Sequence, residues 1–217
     1  MTHIIWEDNH LIAAFKRSGQ TVQPEPNKPA SLEEEVKDYI KEKYNKPGAV
    51  YLGVIHRLDM PVEGIVIFAK TSKALVRMNE IFQQREVQKV YHAWVERKPA
   101  TESGHLVNWL KRDENKNFTK AYHTEINKSE KAELLYQVLK TKGKNALLKV
   151  TLLTGRKHQI RVQLATMGCP ILGDKKYGAT YAFSDNYIAL QATELSFIHP
   201  VSNERILLTI PDLVFPA

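Results

Sequence analysis

With 217 residues, 43% of them hydrophobic, the chain can bury a core of its own, which excludes an intrinsically disordered protein and allows one large domain or two small subdomains sharing a sheet. The acidic opening Met1-Thr2-His3-Ile4-Ile5-Trp6-Glu7-Asp8 does not read as a signal peptide, and no stretch nears the ~18 apolar residues of a membrane span, so the expected location is the cytoplasm with no membrane partner. A single cysteine, Cys169, excludes an internal disulfide and a cysteine-based zinc site, and it reads as a small buried hydrophobe.

In chain order, Ile4 to Phe15 predicts two short strands broken by a turn at Glu7-Asp8-Asn9 and ended by Lys16-Arg17-Ser18-Gly19. After a Pro-rich loop, Ser31 and Glu34 form a capping box for an amphipathic helix carrying Leu32, Val36 and Ile40, closed by Pro47. Val50 to Ile55 predicts a strand running into His56-Arg57-Leu58-Asp59, and Gly64 to Ala69 a second one, so Asp59 falls in a strand-to-strand connection. Thr71 or Ser72 caps a helix with a core stripe of Leu75, Met78 and Phe82, and Lys89 to Glu96 alternates as a strand. Four strands are expected between His105 and Leu153, with turns at Asp113-Glu114-Asn115, near Ser129 and at Gly143-Lys144-Asn145, as a mostly antiparallel meander. A helix from about Arg156 to Met167, ended by Gly168, and a hairpin of Ile188–Ile198 with Arg205–Ile210 complete an α+β class dominated by a large, mainly antiparallel mixed sheet.

The net charge of +7 is concentrated. Between Lys140 and Thr180 nine Lys/Arg face a single acid, Asp174, whereas the stretch from Asn186 onward is net negative. A polyanion would be drawn to the first segment, since phosphate contacts release counterions and supply most sequence-independent affinity. On the predicted helix, Lys157 and Arg161 stand four residues apart on one face; a plain solvated basic stripe would look the same. Asp59 beside Arg57 in a loop is a place where a carboxylate can be kept ionised, but His-Arg-x-Asp strings are ordinary loop residues as well. Tyr91, alternating with Ala93 and Val95, reads as an inward-facing ring. The eight histidines are scattered without metal-ligand spacing, and no phosphate-binding glycine loop is present, so neither a metal nor a nucleotide cofactor is expected.

Three ordered motifs go further. Gly53-Val54-Ile55-His56-Arg57-Leu58-Asp59 with Gly64 and Ala69-Lys70-Thr71 resembles the catalytic loop of the RluA-type RNA pseudouridine synthases. Lys89-Val90-Tyr91-His92-Ala93 is similar to that family's Lys-x-Tyr-x-Ala strand. Gly155-Arg156-Lys157-His158-Gln159-Ile160-Arg161-Val162, with Pro170-Ile171-Leu172-Gly173-Asp174 and Tyr177-Gly178, is similar to its third motif, and order and spacing agree from Ile4 to Pro211.

The resemblance implies a pseudouridine synthase fold of two subdomains flanked by a few helices, with an active-site cleft between them and residues 1–217 forming one catalytic domain without a separate N-terminal RNA-binding domain. It implies an isomerase acting without cofactor on structured RNA, with transfer RNA slightly favoured over ribosomal RNA; a monomer is the default expectation. Asp59 would attack or stabilise C1′ of the target ribose; Arg57 would enter the RNA stack in place of a flipped nucleotide; Tyr91 would stack on the detached uracil; Arg161 would pair with Asp59. Lys144, Lys157, Lys175 and Lys176 would meet phosphates. The sequence departs from the family at Val62-Glu63, where Thr-Ser is usual, at Arg17, where Pro is usual, and at Gln163, where His is common. The competing readings are a non-catalytic RNA-binding module on the same fold and a glycosidase using Asp59 with Glu63, whose spacing assures no geometry.

Overall fold

Two short apolar runs at the N-terminus form an antiparallel hairpin, β1 (Ile4–Glu7) and β2 (Leu11–Lys16), with a register slip between Ile4 and Trp6. The turn is held by Asp8, whose carboxylate accepts from the backbone of His10 and Leu11. The computed structural model describes residues 2–113, 115–183 and 187–215, and Cα proximity divides the chain into two units, Met1–Val87 with Glu194–Ile210 and Gln88–Thr193 with Pro211–Ala217. Eleven strands, three α-helices and one 3-10 turn among the described residues make it α+β with a large, mainly antiparallel sheet.

In the first unit β2 pairs along its whole length with β4 (Glu63–Ala69), from Leu11 opposite Ala69 to Lys16 opposite Gly64. The strand expected over Val50–Ile55 shortens to β3 (Gly53–Val54), which meets only Ala69 and Phe68 of β4. The reason is competition for an edge: β2 occupies one side of β4, and β10 (Leu190–Ile198) also neighbours it, leaving β3 a two-residue foothold. Helix α1 (Leu32–Lys43) carries the expected capping box, Ser31 Oγ accepting from Glu34 N and the Glu34 carboxylate from Ser31 N; it ends at Tyr44, before Pro47. Helix α2 (Ser72–Gln83) is capped by Thr71, and its Met78 is fully buried with Leu75 and Phe82 packed around the same cluster as Leu11, Ile65, Ile67, Leu195 and Phe197. The hairpin of β10 with β11 (Arg205–Thr209) runs in register from Glu194 opposite Thr209 to Ile198 opposite Arg205.

In the second unit β5 (Gln88–Val95) pairs with β9 (Asn145–Leu152), β9 with β8 (Glu130–Lys142), β8 with β6 (Ser103–Asp113), and β6 with β7 (Phe118–Tyr122). A simple meander would put β7 beside β8; instead β6 lies between β7 and β8, because β6 spans eleven residues and offers its two edges to different partners. Of the expected turn at Asp113-Glu114-Asn115, Glu114 lies outside the described residues. Helix α3 is Gln159–Thr166, shorter than expected at its start: His158 has φ 57, a left-handed conformation that cannot continue into an α-helix, and the Gln159 side chain accepts from Arg156 N and Thr154 Oγ1. Lys157 therefore precedes the helix and does not share a helical face with Arg161. Gln163, fully buried, donates to Asn108 Oδ1 at 2.9 Å and lies 3.3 Å from the carbonyls of Leu106 and Ala132, tying α3 to β6 and β8.

What fixes the loop after β3 is a lysine. Lys16, with 0% of its surface exposed, sends its Nζ to the carbonyls of Gln20 (2.7 Å), Arg17 (2.9 Å) and Met60 (3.0 Å). Gly19 N also donates to Met60 O at 2.9 Å, Ser18 Oγ to Pro61 O at 3.1 Å, and Val62 N closes a turn on Asp59 O at 3.0 Å. Burial pulls the Lys16 pKa from an ordinary 10.5 down to about 7, against the opposite pull of Asp59 and Glu63. Between those two values the unfolded chain binds more protons than the folded one, so stability rises with pH there and this source adds nothing below about 7. The stability of wild type relative to Lys16→Met, from urea unfolding near pH 7 and about two pH units higher, is expected to shift towards wild type by about 1–2 kcal/mol. A difference that shrinks as pH rises would mean that Asp59 and Glu63 outweigh burial.

Candidate active site

Within residues 56–62 Arg57 is exposed and the others are buried or half-buried. The His56 ring accepts a hydrogen bond from Ile67 N at Nε2 (3.1 Å) and stacks on Phe82 with centroids 5.2 Å apart, tying the start of the loop to β4 and α2. Leu58 and Val62 are buried, Asp59 is half-buried, and Arg57 is exposed, with Nη1 donating to Gln23 Oε1 at 3.3 Å. The side chain of Asp59 is thus borne by a segment bonded at Met60, Pro61 and Val62, while the exposed Arg57 of the same loop makes a long hydrogen bond to Gln23. The two departures in this region have physical partners. Arg17 reaches Glu35 of α1 at 2.6 Å, and Glu63 acts on the Lys16 ammonium, which offsets its negative charge.

Asp59 belongs to the first unit; Tyr91, Arg161 and the four lysines belong to the second. Tyr91 stands on β5 opposite Val150 of β9, which in turn opposes Tyr136 of β8, and it is buried to 9% exposure. Tyr91 is buried as expected, but so is every residue from Val90 to Val95, on both faces of the strand, and alternation does not set it apart. Arg161, on α3, is buried, and its Nε and Nη2 donate to Asp174 Oδ2 and Oδ1 at 2.7 and 2.8 Å. This bidentate pair was not legible in the sequence, where Asp174 stands as the lone acid of a basic segment and as part of the third motif, with no partner assigned. It takes one edge of the guanidinium; the opposite edge, with Nη1, lies outside it.

The lysines occupy three separate connections: Lys144 the β8–β9 turn, Lys157 the turn before α3, and Lys175 and Lys176 the 3-10 turn Lys175–Tyr177; all four are exposed. Lys175 Nζ donates to Thr180 O at 3.2 Å. The β6–β7 hairpin adds Lys111, Arg112, Lys116 and Lys120, which a charge count confined to residues 140–180 passes over. Lys111 and Lys120 stand directly opposite each other in the ladder, a repulsive pairing that a bound polyanion would relieve. Among the described residues no three His, Cys, Asp or Glu are grouped to hold a metal ion, no helix is long and apolar enough to cross a membrane, and Cys169 is a buried thiol whose pKa is raised by burial.

Residues 10–166 match the family model described as RNA pseudouridylate synthase. The chain is 32% identical to the dual-specificity RNA pseudouridine synthase RluA of Vibrio vulnificus, over 99% of this chain and 85% of that protein. It is 31% identical to the ribosomal large subunit pseudouridine synthase C of Buchnera aphidicola, over 98% of this chain and 68% of that one. The fold agrees with a solved structure, human RNA pseudouridylate synthase domain containing 4, with a TM-score of 0.79 at 22% identity over 96% of this chain and 88% of that chain. With the family model spanning most of the chain and relatives matching nearly all of it, the protein belongs to the RluA-type RNA pseudouridine synthases, enzymes of the isomerase class.

Proposed function

We propose that Asp59 is the catalytic carboxylate of an RNA uridine isomerisation carried out without metal or coenzyme. The reaction breaks the bond from C1′ to N1 of uracil, forms one from C1′ to C5, removes the C5 proton and leaves a proton on N1, so atoms and charge balance within the nucleotide. What it requires is a fixed carboxylate at C1′, a flat wall for the detached base and exclusion of water. The observation that carries the reading is the clamped loop: Lys16, Gly19 and Ser18 together hold Met60 and Pro61, immediately after Asp59, with no exposed surface on the lysine. Tyr91 supplies the wall for the base, Arg161 keeps the carboxylate ionised, and Arg57 fills the place of the flipped nucleotide.

RNA lies along Lys144, Lys157, Lys175 and Lys176, with the basic β6–β7 hairpin adding contacts. The substrate is a uridine in a compact stem-loop, with transfer RNA preferred over ribosomal RNA, and the protein works as a monomer in the cytoplasm. Flipping a base costs on the order of a few kcal/mol and least in a loop, where stacking is already incomplete.

Asp59→Asn, close to isosteric, is expected to fold and bind RNA with near wild-type affinity while pseudouridine formation falls at least ~10³-fold, checked by mapping pseudouridine in a transfer RNA transcript. Turnover near wild type would remove Asp59 from the chemistry, and a wild-type protein that binds RNA but leaves no pseudouridine would favour a non-catalytic binding module. Neutralising Lys175, Lys176, Lys157 or Lys144 singly should lower the slope of log affinity against log salt by about 0.7–0.9 each, and an unchanged slope would put the phosphates elsewhere. Comparing a whole transfer RNA, the stem-loop cut from it and ribosomal RNA transcripts should show the first two modified at similar rates; reaction confined to ribosomal RNA would contradict the compact substrate.

A further inference from the structure

An arginine side chain has four torsions to freeze before its charge can be used at a defined point, and in this fold several elements freeze them. Along its edge, Arg161 is gripped by Asp174 at 2.7 and 2.8 Å, both side chains almost wholly buried. Over its face, the Tyr177 ring lies with its centroid 5.0 Å from the guanidinium carbon. Each of these partners is itself held. The Asp174 carbonyl accepts from Tyr177 N and Ala179 N, both at 3.0 Å, and its own N–H donates to Ile171 O at 3.0 Å. Gly173, next to it, has φ 84, and a β-carbon there would come within 2.5 Å of the Phe183 ring, so the bend that presents Asp174 requires glycine.

Tyr177 is held from the opposite side. Its hydroxyl accepts from Thr119 N of β7 at 3.0 Å and shares a hydrogen bond of 2.7 Å with His158 Nδ1, and Phe118 stacks on its ring at 4.8 Å and 22°. Thr119 Oγ1 in turn donates to Lys157 O at 3.2 Å. The left-handed turn at His158, the hairpin strand β7 and the 3-10 turn therefore all terminate on one ring beneath the arginine. Net stabilisation is a poor explanation of the buried ion pair, since desolvating two charges offsets much of their attraction; a fixed direction for the guanidinium is what the arrangement supplies.

We propose that Asp174 and Tyr177 are positioning residues for Arg161, acting on the rate of isomerisation through the orientation of its guanidinium and not through RNA binding. The proposal rests on the reading of Arg161 as the cation that serves the catalytic carboxylate. It is tested by a double-mutant cycle on full-length protein, using a transfer RNA transcript, single-turnover rate at saturating RNA, RNA Kd and thermal unfolding. Asp174→Asn is expected to lower the rate about 100-fold and Tyr177→Phe, which keeps the ring but drops the hydroxyl, about tenfold, with Kd changed less than about threefold. In an Arg161→Lys background, where no bidentate grip is possible, adding either change should cost no more than about threefold. Full additivity, near wild-type rates of the single variants, or losses in Kd alone would overturn the proposal while leaving Arg161 in place. Arg161→Lys turning over like wild type would instead overturn the underlying reading, and the positioning proposal with it. If Asp174→Asn does not fold, the Tyr177→Phe cycle decides alone.

Discussion

A lysine with no solvent-exposed surface must have its protons accepted by the protein, and Lys16 meets that demand with three backbone carbonyls drawn from two separate segments. Satisfying the ammonium forces the loop at Met60 against the turn at residues 17–20, and Gly19 adds a bond to Met60 and Ser18 one to the adjacent Pro61. The position of the candidate nucleophile is thus a consequence of burying a cation. The nearby charges of Asp59 and Glu63 oppose the loss of the lysine's proton, so clamp and carboxylate are electrostatically linked.

The second unit applies similar logic to an arginine. Arg161 is held by a carboxylate edge-on and a phenol ring face-on, and both supports are fixed by backbone hydrogen bonds from neighbouring elements. Bonding a side chain's supports to neighbouring strands and helices is a general way to fix its position. The departures from the family pattern fit within it: Arg17 finds Glu35, Glu63 faces a lysine, and Gln163 bonds to Asn108 beneath the helix.

Much of the fold was legible because local chemistry dictates it. The Ser31–Glu34 capping box, the Thr71 cap and the β10–β11 hairpin involve residues close in sequence, and each forms as read, whereas β5, read as alternating, is buried on both faces from Val90 to Val95. Asp59, Tyr91 and Arg161 were singled out by motif resemblance, since spacing alone left each as an ordinary loop, core or surface residue. What could not be read depended on distant partners. The shortening of β3 follows from the other strands that claim β4, and the late start of α3 from a left-handed His158. The burial of Lys16 joins residues 44 apart, and the Tyr177 support joins residues 58 apart, so neither leaves a local pattern. The basic hairpin was visible as Lys111, Arg112, Lys116 and Lys120 but lay outside the segment where charge was counted.

Isomerisation of uridine through carbon must expel the hydrogen at C5, a consequence that neither RNA binding nor cleavage of a sugar bond shares. The most direct measurement is therefore tritium release from a transfer RNA transcript labelled at C5 of uridine, with purified protein, a chelator present and no coenzyme added. The account predicts release of tritium to water in step with the appearance of pseudouridine in the same RNA. Retention of the tritium by RNA that the protein nevertheless binds would contradict it.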